Sequence, residues 1–336
     1  MTSIRNSVIT SNITMKKFSD YSAFIEKVIR DLSFPGDALA GLYQPISYSL
    51  SAGGKRIRPS LALMAADAFG SAADAAVDAA VALEVFHNFT LLHDDVMDHS
   101  DLRRGRPSVH AKWDVNTAIL SGDTMLSLAC QYISHVPDAI LRPVLDAFNE
   151  MAIRVYEGQR LDMDFETRQD VTLDDYIHMI SLKTGALLGA ATRIGALIGG
   201  ASTEDAAHMA EYGNMLGLAF QIQDDWLDVF GDAATFGKPI GGDINNNKKS
   251  YLLLASLATN TPDATALRDA MALPAGETKV KVVTRLYERL DMNRVCRDAI
   301  QQYSSRAMAA LKATSLSDEA REPFRLLVEK LTGRKK

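Results

Sequence analysis

Residues 87–107 read HNFTLLHDDVMDHSDLRRGRP and change from apolar to acidic to basic within one short stretch. Asp94 and Asp98 are four residues apart, so a helix places them on one face, with Asp95 beside them. Carboxylates at this spacing repel one another and weaken the helix unless a cation lies between them. The stretch therefore predicts a helix that ends in a cation-binding acidic cluster, before the chain turns at Gly105.

The second half of the chain repeats this pattern. Residues 221–228 read QIQDDWLD, which puts Asp224 and Asp228 at the same spacing, with Asp225 adjacent, after another apolar run. Hard divalent cations take oxygen ligands, and Mg²⁺ is often held by a few carboxylates together with substrate phosphates. One such motif fits a solvated helix face equally well, but two of them with cations nearby favour a metal-binding rim above an apolar bowl.

Composition limits the possible classes of protein. The 336 residues are 47% hydrophobic and 23% charged, which is enough apolar material for a large core and argues against disorder. The net charge is −6 and no global basic surface exists, so we expect no nucleic-acid partner. No run of about 18 apolar residues is present, so no membrane span is expected. Cys130 and Cys296 have no partnered spacing and are expected to be buried thiols in a reducing cytosol.

Helical periodicity covers the chain, and we find no strand pattern of any length. Residues 75–97 and 204–229 are the two long apolar helices that lead into the acidic motifs, and such helices are normally buried in a bundle. The prediction is an all-α fold in which long helices surround a central apolar cavity. Residues 15–336 are expected to form one domain, with residues 1–14 as a disordered extension and Met15 as a candidate start.

Cationic groups lie near the first motif in the sequence or at a helix start. Lys55 and Arg58 flank the beginning of a helix, where the helix dipole already favours an anion, so they suggest an anion-binding corner. His87 lies two helical turns before Asp94. The alternative interpretations are a solvated basic turn and a core histidine with its hydrogen bonds satisfied.

Two further features concern the backbone. Gly185 interrupts a helical run directly after Lys183 and Thr184, and a break there would leave backbone carbonyls free. Residues 231–247 form a polar loop, which is the best candidate for a mobile lid.

These motifs occur together in one known family. The chain resembles the trans-isoprenyl diphosphate synthases, or polyprenyl synthetases, from about residue 51 to residue 249. The motifs that carry the resemblance appear in the expected order: GGKRIRP, DDxxD followed by RRG, GQxxD, KT and QxxDDxxD. The resemblance implies the all-α isoprenoid synthase fold, usually in a cytoplasmic homodimer. It also implies head-to-tail elongation, in which an allylic diphosphate loses pyrophosphate and isopentenyl diphosphate attacks the allylic cation.

The resemblance implies a role for each matching residue. Three aspartates would ligate Mg²⁺, with three ions expected per active site when substrate is bound: Asp94, Asp98 and Asp224. The other aspartates would act through water or through neighbouring groups: Asp95, Asp225 and Asp228. Catalysis is assigned to these six aspartates with Arg103, which would hold the allylic diphosphate, and Lys183. The isopentenyl diphosphate would be held by Lys55, Arg58, His87 and Arg104. The allylic site would be lined by Lys183, Thr184, Gln221 and Lys238, with Lys248 at the lid.

One position departs from the family pattern. The family commonly has Gly before the lid lysine, and this chain has Asn247. Because Asn also adopts left-handed backbone angles, we expect the lid geometry to survive. Whether Lys248 or Lys249 takes the lid role stays open.

Product length is expected to depend on residues just before the first aspartate. Phe86, Phe89 and Thr90 would form the floor of the product tunnel, and two aromatic rings one turn apart can plug it. Ordinary core packing is the alternative interpretation. The pattern looks most like short-chain synthases of the geranylgeranyl type, with farnesyl diphosphate as the close alternative and a longer polyprenyl product less favoured.

Two other functions compete with this prediction. A class I terpene cyclase would share the first acidic motif, but its second metal motif is typically built from Asn, Ser and Glu rather than an aspartate triad. A non-catalytic partner subunit of a prenyl synthase usually lacks one acidic motif, and this chain keeps both. The sequence therefore favours a prenyltransferase that uses isopentenyl diphosphate with dimethylallyl, geranyl or farnesyl diphosphate.

Overall fold

The computed structural model describes residues 17–231 and 240–333. Helices dominate the described chain. In order they are α1 Phe18–Arg30, α2 Ala40–Leu50, α3 Ile57–Ala68, α4 Val77–Met97, α5 Val109–Lys112, α6 Val115–Ile133, α7 Asp138–Thr167, α8 Leu173–Ile180, α9 Ala186–Ile198, α10 Thr203–Phe230, α11 Gly242–Asn245, α12 Tyr251–Leu257, α13 Pro262–Met271, α14 Glu277–Arg289, α15 Met292–Ala313 and α16 Asp318–Thr332. Short 3₁₀ turns at Asp37–Leu39 and Ala73–Ala76 precede α2 and α4, and a π-helical turn at Ser181–Gly185 joins α8 to α9.

The chain divides into two compact units. The first contains the described residues up to Glu150 together with Ala190–Ala210 and Thr314–Pro323. The second contains Met151–Gly189, the described residues of Glu211–Ala313, and the described residues from Phe324 onward. The one-domain arrangement of residues 15–336 stays a prediction. The predictions for residues 1–14, for Lys238 and for residues 232–239 of the 231–247 loop lie outside the described residues.

Helix α4 is buried along most of its length, as its apolar composition predicts. Leu83, Val85 and Phe86 are fully buried, and α4 packs mainly against α6 and α3. The stretch Ala73–Met97 has the length and composition of a membrane span, but 72% of its most apolar window is buried inside the structure. A core helix of a globular unit passes the same test, so the burial supports the interpretation as a core helix.

Small residues let helices approach closely in the first unit. A Cβ added at Gly195 of α9 would lie 2.2 Å from the carbonyl oxygen of Ala62 in α3. No side chain fits at that distance, so glycine is required where these helices meet. The small, apolar residues of α9 thus allow close packing with α3.

Two expectations about local structure were wrong. A two-stranded antiparallel hairpin, Leu102–Arg103 with Arg106–Pro107, follows the first acidic motif, although no strand pattern was found. Strands of two residues are too short to show alternation, and their pairing depends on the turn between them. Cys130 is exposed rather than buried, because it lies on the outward side of α6; Cys296 is buried as expected.

In the second unit, α12 packs against α8, α13 and α15. Side-chain caps define helix starts here: Ser250 accepts a hydrogen bond from the Leu253 amide, and Thr261 accepts one from the Ala264 amide. These caps fix the chain that follows the second aspartate motif.

Candidate active site

The first aspartate motif occupies the C-terminal end of α4. The helix ends at Met97, and His99 adopts a left-handed conformation (φ 51°), which turns the chain away. Asp94 is half-exposed and Asp98 is exposed, whereas Asp95 is only 3% exposed. The helical spacing places Asp94 and Asp98 on one accessible face, as predicted, and turns Asp95 inward.

Asp95 holds an arginine of the hairpin. The Arg103 guanidinium donates to Asp95 Oδ1 through Nε at 2.9 Å and also through a terminal nitrogen. Burial raises the pKa of Asp95, and the hydrogen bonds and charge of Arg103 oppose that rise. The inward carboxylate thus positions Arg103 beside the accessible pair.

The hairpin turns through two residues with positive φ, Arg104 (53°) and Gly105 (73°). Such a turn matches the twist of short antiparallel strands. Arg104 donates to the Gly53 carbonyl, and the Tyr48 hydroxyl donates to the Pro107 carbonyl at 2.8 Å. The hairpin that carries Arg103 and Arg104 is therefore anchored to the chain that precedes α3.

A neutral histidine lies among these cations. Arg58 Nη1 lies 3.1 Å from His87 Nε2. Because a guanidinium can only donate, Nε2 accepts this hydrogen bond and the ring proton is on Nδ1. Burial lowers the pKa of His87 well below its usual value, and the charges of Arg58, Arg104 and Arg103 lower it further. The first unit therefore brings together the arginines and the histidine that the resemblance assigns to one anion site. Lys55 is exposed at the start of the same segment.

One buried cation was missed by sequence reasoning. Arg56 is 3% exposed and has left-handed backbone angles. Its guanidinium pairs with Glu84, donates to Glu26 at 2.6 Å and donates to the Leu50 carbonyl at 2.7 Å. The signal was present in Glu84, an isolated acidic residue in an apolar helix that required a buried partner.

The second aspartate motif lies near the C-terminal end of α10, and its buried members hold other parts of the second unit. Asp225 accepts hydrogen bonds from the Tyr176 hydroxyl (2.6 Å), the Tyr251 amide (2.8 Å) and the Gln221 side-chain amide (3.2 Å). Burial raises the pKa of Asp225 to about 6. Asp224, in contrast, is half-exposed.

Asp228 anchors the segment that follows α10. Its carboxylate accepts hydrogen bonds from the amides of Gly242 (3.2 Å) and Asp243 (3.1 Å), at the start of α11. Burial, followed by the charge of Asp243, raises the pKa of Asp228 to about 6. Lys248 Nζ lies 3.8 Å from Asp243 Oδ1. Asn247 has φ 54°, so the expected left-handed conformation before the lid lysine is confirmed.

The π-helical turn presents two more predicted site residues. Lys183 Nζ donates to Asp162 Oδ2 at 2.5 Å, and the Thr184 hydroxyl donates to Gln221 Oε1 at 3.1 Å. A Cβ on Gly158 would lie 2.3 Å from the Lys183 amide nitrogen, so only glycine lets α7 approach the turn. A π turn is often found at functional sites. The chain stays helical through this turn, so the break with free carbonyls that was expected at Gly185 is replaced by a wider helical turn.

The predicted floor residues lie together in an aromatic cluster. The ring centroids of Phe86 and Phe89 are 5.5 Å apart, and those of Phe86 and Phe148 are also 5.5 Å apart. Phe89 further contacts the His93 ring at 4.8 Å. The Thr90 hydroxyl donates to the His87 carbonyl at 2.8 Å, within its own helix. Phe148 was not predicted, because nothing in its local sequence marks contact with α4.

The aspartates of the two motifs fall into two groups that bear on Mg²⁺ binding. Among the described residues of each unit, no three His, Cys, Asp or Glu side chains form a preassembled metal site. Asp95, Asp225 and Asp228 have oxygens engaged by N–H or O–H donors, whereas Asp94, Asp98 and Asp224 keep solvent-accessible surface. This division fits a hard cation that takes a few carboxylates and completes its coordination with water or phosphate oxygens.

Comparisons with known proteins agree with the fold and the motifs. Over 215 residues, 63% of this chain and 66% of the relative, the chain is 45% identical to a geranylgeranyl diphosphate synthase of Methanosarcina mazei. It is 37% identical over 287 residues to a geranylfarnesyl diphosphate synthase of Natronomonas pharaonis, which covers 75% of this chain and 84% of that protein. A crystal structure of a geranylgeranyl pyrophosphate synthase aligns with a TM-score of 0.89 at 42% identity, covering 96% of this chain and 100% of that one.

The all-α isoprenoid synthase fold is thereby confirmed. A sequence model described as polyprenyl synthetase matches residues 40–290, and with the motifs and the relatives this shows that the chain belongs to the polyprenyl synthetase family.

Proposed function

We propose that this chain is a Mg²⁺-dependent prenyltransferase that joins isopentenyl diphosphate head-to-tail to an allylic diphosphate and releases geranylgeranyl diphosphate. The observation that carries the proposal is the arrangement at the end of α4. There, Asp94 and Asp98 present carboxylates on one face, while Asp95 holds Arg103 beside them. A diphosphate with its metal ions needs both kinds of group, anionic ligands for the metal and cations for the phosphate oxygens.

Ionisation of the allylic diphosphate requires that charge on the departing pyrophosphate be stabilised. Mg²⁺ held by Asp94, Asp98 and Asp224 would supply positive charge there. Arg103 and Lys183 add N–H donors, and each is held by a carboxylate, Asp95 and Asp162 respectively. Because these donors are already oriented, little reorganisation is needed as the C–O bond breaks.

The isopentenyl diphosphate is assigned to the cations of the first unit. Lys55, Arg58 and Arg104 provide fixed positive charge, and neutral His87 provides an Nδ1–H donor. A histidine that stays neutral among arginines adds a hydrogen bond without further charge repulsion. The site therefore favours a multiply charged anion such as a diphosphate.

The allylic cation needs surroundings that do not attack it. Thr184 and Gln221 are hydrogen-bonded to one another and are neutral, so they can face a carbocation as dipoles. Neither is a base at neutral pH. We therefore assign the final proton of the condensation to the released pyrophosphate.

Product length is assigned to the aromatic cluster below the first motif. Phe89 lies five residues before Asp94, and Phe86 packs edge-on behind Phe89. A growing chain that starts at the aspartates would stop at Phe89. Geranylgeranyl diphosphate is the expected product, farnesyl diphosphate is the close alternative, and a longer polyprenyl product is a weaker one.

The homodimer and the cytoplasmic location stay proposals. Val115, Ile119 and Leu120 on α6 are 47%, 42% and 59% exposed. Exposed apolar side chains grouped on one helix favour a protein interface over a free surface. We propose that this part of α6 contributes to a homodimer.

Incubation with Mg²⁺, labelled isopentenyl diphosphate and one primer at a time, followed by sizing of the dephosphorylated products, tests the proposal. The expected result is a C20 alcohol from dimethylallyl, geranyl and farnesyl primers, and no product when EDTA removes the metal. Release of pyrophosphate from a primer alone would indicate a cyclase. No turnover with any primer would indicate a non-catalytic subunit.

A further inference from the structure

A buried lysine outside the family motifs contacts the segment that carries Lys248. Lys279, in the first turn of α14, is 1% exposed, and its Nζ donates to Asn247 Oδ1 at 2.7 Å. Burial lowers the pKa of Lys279. Burying an amine is costly unless it is hydrogen-bonded, so the contact with Asn247 is an energetically significant part of this packing.

Asn247 is the residue at which the chain leaves α11. Its φ of 54° is a left-handed conformation that glycine adopts freely and that other residues adopt less often. Its amide donates to the Ile244 carbonyl at 3.3 Å, which closes the turn. An asparagine here therefore benefits from a partner that holds its side chain while the backbone is in this conformation.

The turn at Asn247 determines where the Lys248 side chain lies. The Lys248 amide donates to the Asp243 carbonyl at 3.0 Å, and its Nζ lies 3.8 Å from Asp243 Oδ1. Desolvation alone would lower the pKa of Lys248, but nearby carboxylates outweigh it and raise the pKa. The largest of these contributions come from Asp243 and Asp225. The turn at Asn247 thus places the Lys248 cation beside Asp243, whose amide donates to Asp228 of the second aspartate motif.

We propose that Lys279 is a positioning residue for Lys248: its hydrogen bond to Asn247 holds the left-handed turn that directs Lys248 toward the aspartates of the second unit. The inference rests on the proposed function, with Lys248 at the lid of the allylic site as the family resemblance implies. It also explains how the chain keeps the turn geometry although Asn replaces the glycine common in the family. A second contact, from the Gly276 amide to Asn245 Oδ1 at 2.8 Å, holds α11 to the start of α14 independently of Lys279.

Steady-state kinetics of Lys279→Met test this role, since Met keeps the length and removes the donor. The KM for the allylic diphosphate should rise about tenfold, while the KM for isopentenyl diphosphate changes less than twofold. The matched control is Lys281→Met, on the same helix, where the lysine is exposed and pairs with Glu277; both KM values should stay unchanged. In an Asn247→Gly background, Lys279→Met should change the allylic KM less than twofold, because glycine needs no help to adopt this turn.

Amide hydrogen exchange provides a readout that does not depend on turnover. In Lys279→Met, exchange of the Lys248 amide should become about tenfold faster, and in Lys281→Met it should not change. Equal increases in both KM values, an effect that persists in the Asn247→Gly background, or unchanged exchange would overturn the positioning role. If the wild-type protein turns over no prenyl substrate but the exchange result holds, the proposed function fails and the contact between Lys279 and the turn stands.

Discussion

Within each aspartate motif, neighbouring side chains have different surroundings. Asp94 and Asp98 face solvent, while Asp95 binds Arg103; Asp224 is half-exposed, while Asp225 binds a tyrosine hydroxyl and a backbone amide. The helical period explains this division, because adjacent residues point about 100° apart. We propose that the accessible carboxylates bind the metal, whereas the buried ones hold the groups around them.

Protonation of Asp225 and Asp228 should change activity and stability in opposite directions. Burial raises the pKa of each to about 6, so both carboxylates gain protons as the pH falls below 6. We expect kcat/KM to fall through this range, because protonated carboxyls no longer attract Lys248 or accept as strongly from their donors. The measurement is the pH profile of kcat/KM for the wild type and for Asp228→Asn, whose profile should lack part of the acid limb.

The stability of the metal-free protein should change in the other direction. Since the pKa of these groups is higher in the folded than in the unfolded chain, the folded state binds more protons between pH 6 and about 4. Their contribution to the free energy of unfolding therefore increases as the pH falls through this window, and it is smaller in Asp228→Asn. Urea titrations of both proteins at pH 7 and pH 5 measure the difference; equal pH responses would contradict the assignment.

Product length can be tested at the aromatic cluster. Replacing Phe89 with Ala should open the floor and lengthen the product by at least one five-carbon unit. Phe86→Ala alone should leave the length unchanged because Phe89 still lies above it, and the double variant should give longer products than Phe89→Ala. Product sizing by chromatography checks this order, and an unchanged product from Phe89→Ala would reject the floor assignment.

At the scale of elements, the first motif depends on how α4 packs against α6. His93, directly before Asp94, lies over Gly122 of α6, and its Nε2 is 3.1 Å from the Ile119 carbonyl. A Cβ added at Gly122 would lie 2.3 Å from His93 Nε2. The absence of a side chain at Gly122 therefore sets the position of the helix end that carries the aspartates.

Gly122→Ala should force His93 to move and displace the adjacent aspartates. We expect a loss of about 1–3 kcal/mol in the free energy of unfolding and weaker binding of pyrophosphate in the presence of Mg²⁺. Denaturant titration and calorimetry measure the two effects. The control is Gly41→Ala in α2, where an added Cβ meets nothing within 4 Å and no loss is expected. Equal behaviour of the two variants would contradict this account of α4 packing.

The sequence predicted the long helices because apolar periodicity is a local signal, and Gly185 marked a helix irregularity that the structure resolves as a π turn rather than a break. It did not predict the hairpin after the first motif, since that depends on Tyr48, which bonds to the Pro107 carbonyl 59 residues away. Arg56 and Lys279 were missed for the same reason. Each is buried by a partner on a different element, and local sequence does not reveal which of several lysines or arginines will point inward.

At the scale of the whole molecule, the family and the fold followed from motif order, and the all-α prediction is confirmed. The division of the described chain into two units was not predicted, because each unit is assembled from segments far apart in sequence. The first and second aspartate motifs lie in different units. Their cooperation in one reaction therefore stays a proposal that kinetics must test.

The proposed homodimer can be tested at α6. Leu120 is 59% exposed, and Leu120→Glu should place a charge in the interface and shift the protein to a monomer. Leu326→Glu on α16, where the leucine is 46% exposed, is the control and should remain dimeric. Light scattering coupled to size-exclusion chromatography measures the mass. A wild-type monomer, or a Leu120→Glu dimer, would contradict the assignment.

The central claim is that both aspartate motifs serve the ionisation of one allylic diphosphate. Pyrophosphate release with Mg²⁺, isopentenyl diphosphate and geranyl diphosphate tests this most directly, in the wild type and in Asp94→Asn, Asp224→Asn and the double variant. We predict release only when both substrates are present and a loss of about 10²–10³-fold in each single variant, with the double variant far less impaired than the product of the two effects. The control, Asp101→Asn, lies just outside the motif and should retain wild-type turnover. Wild-type turnover in either single variant, or effects that simply multiply, would contradict the account.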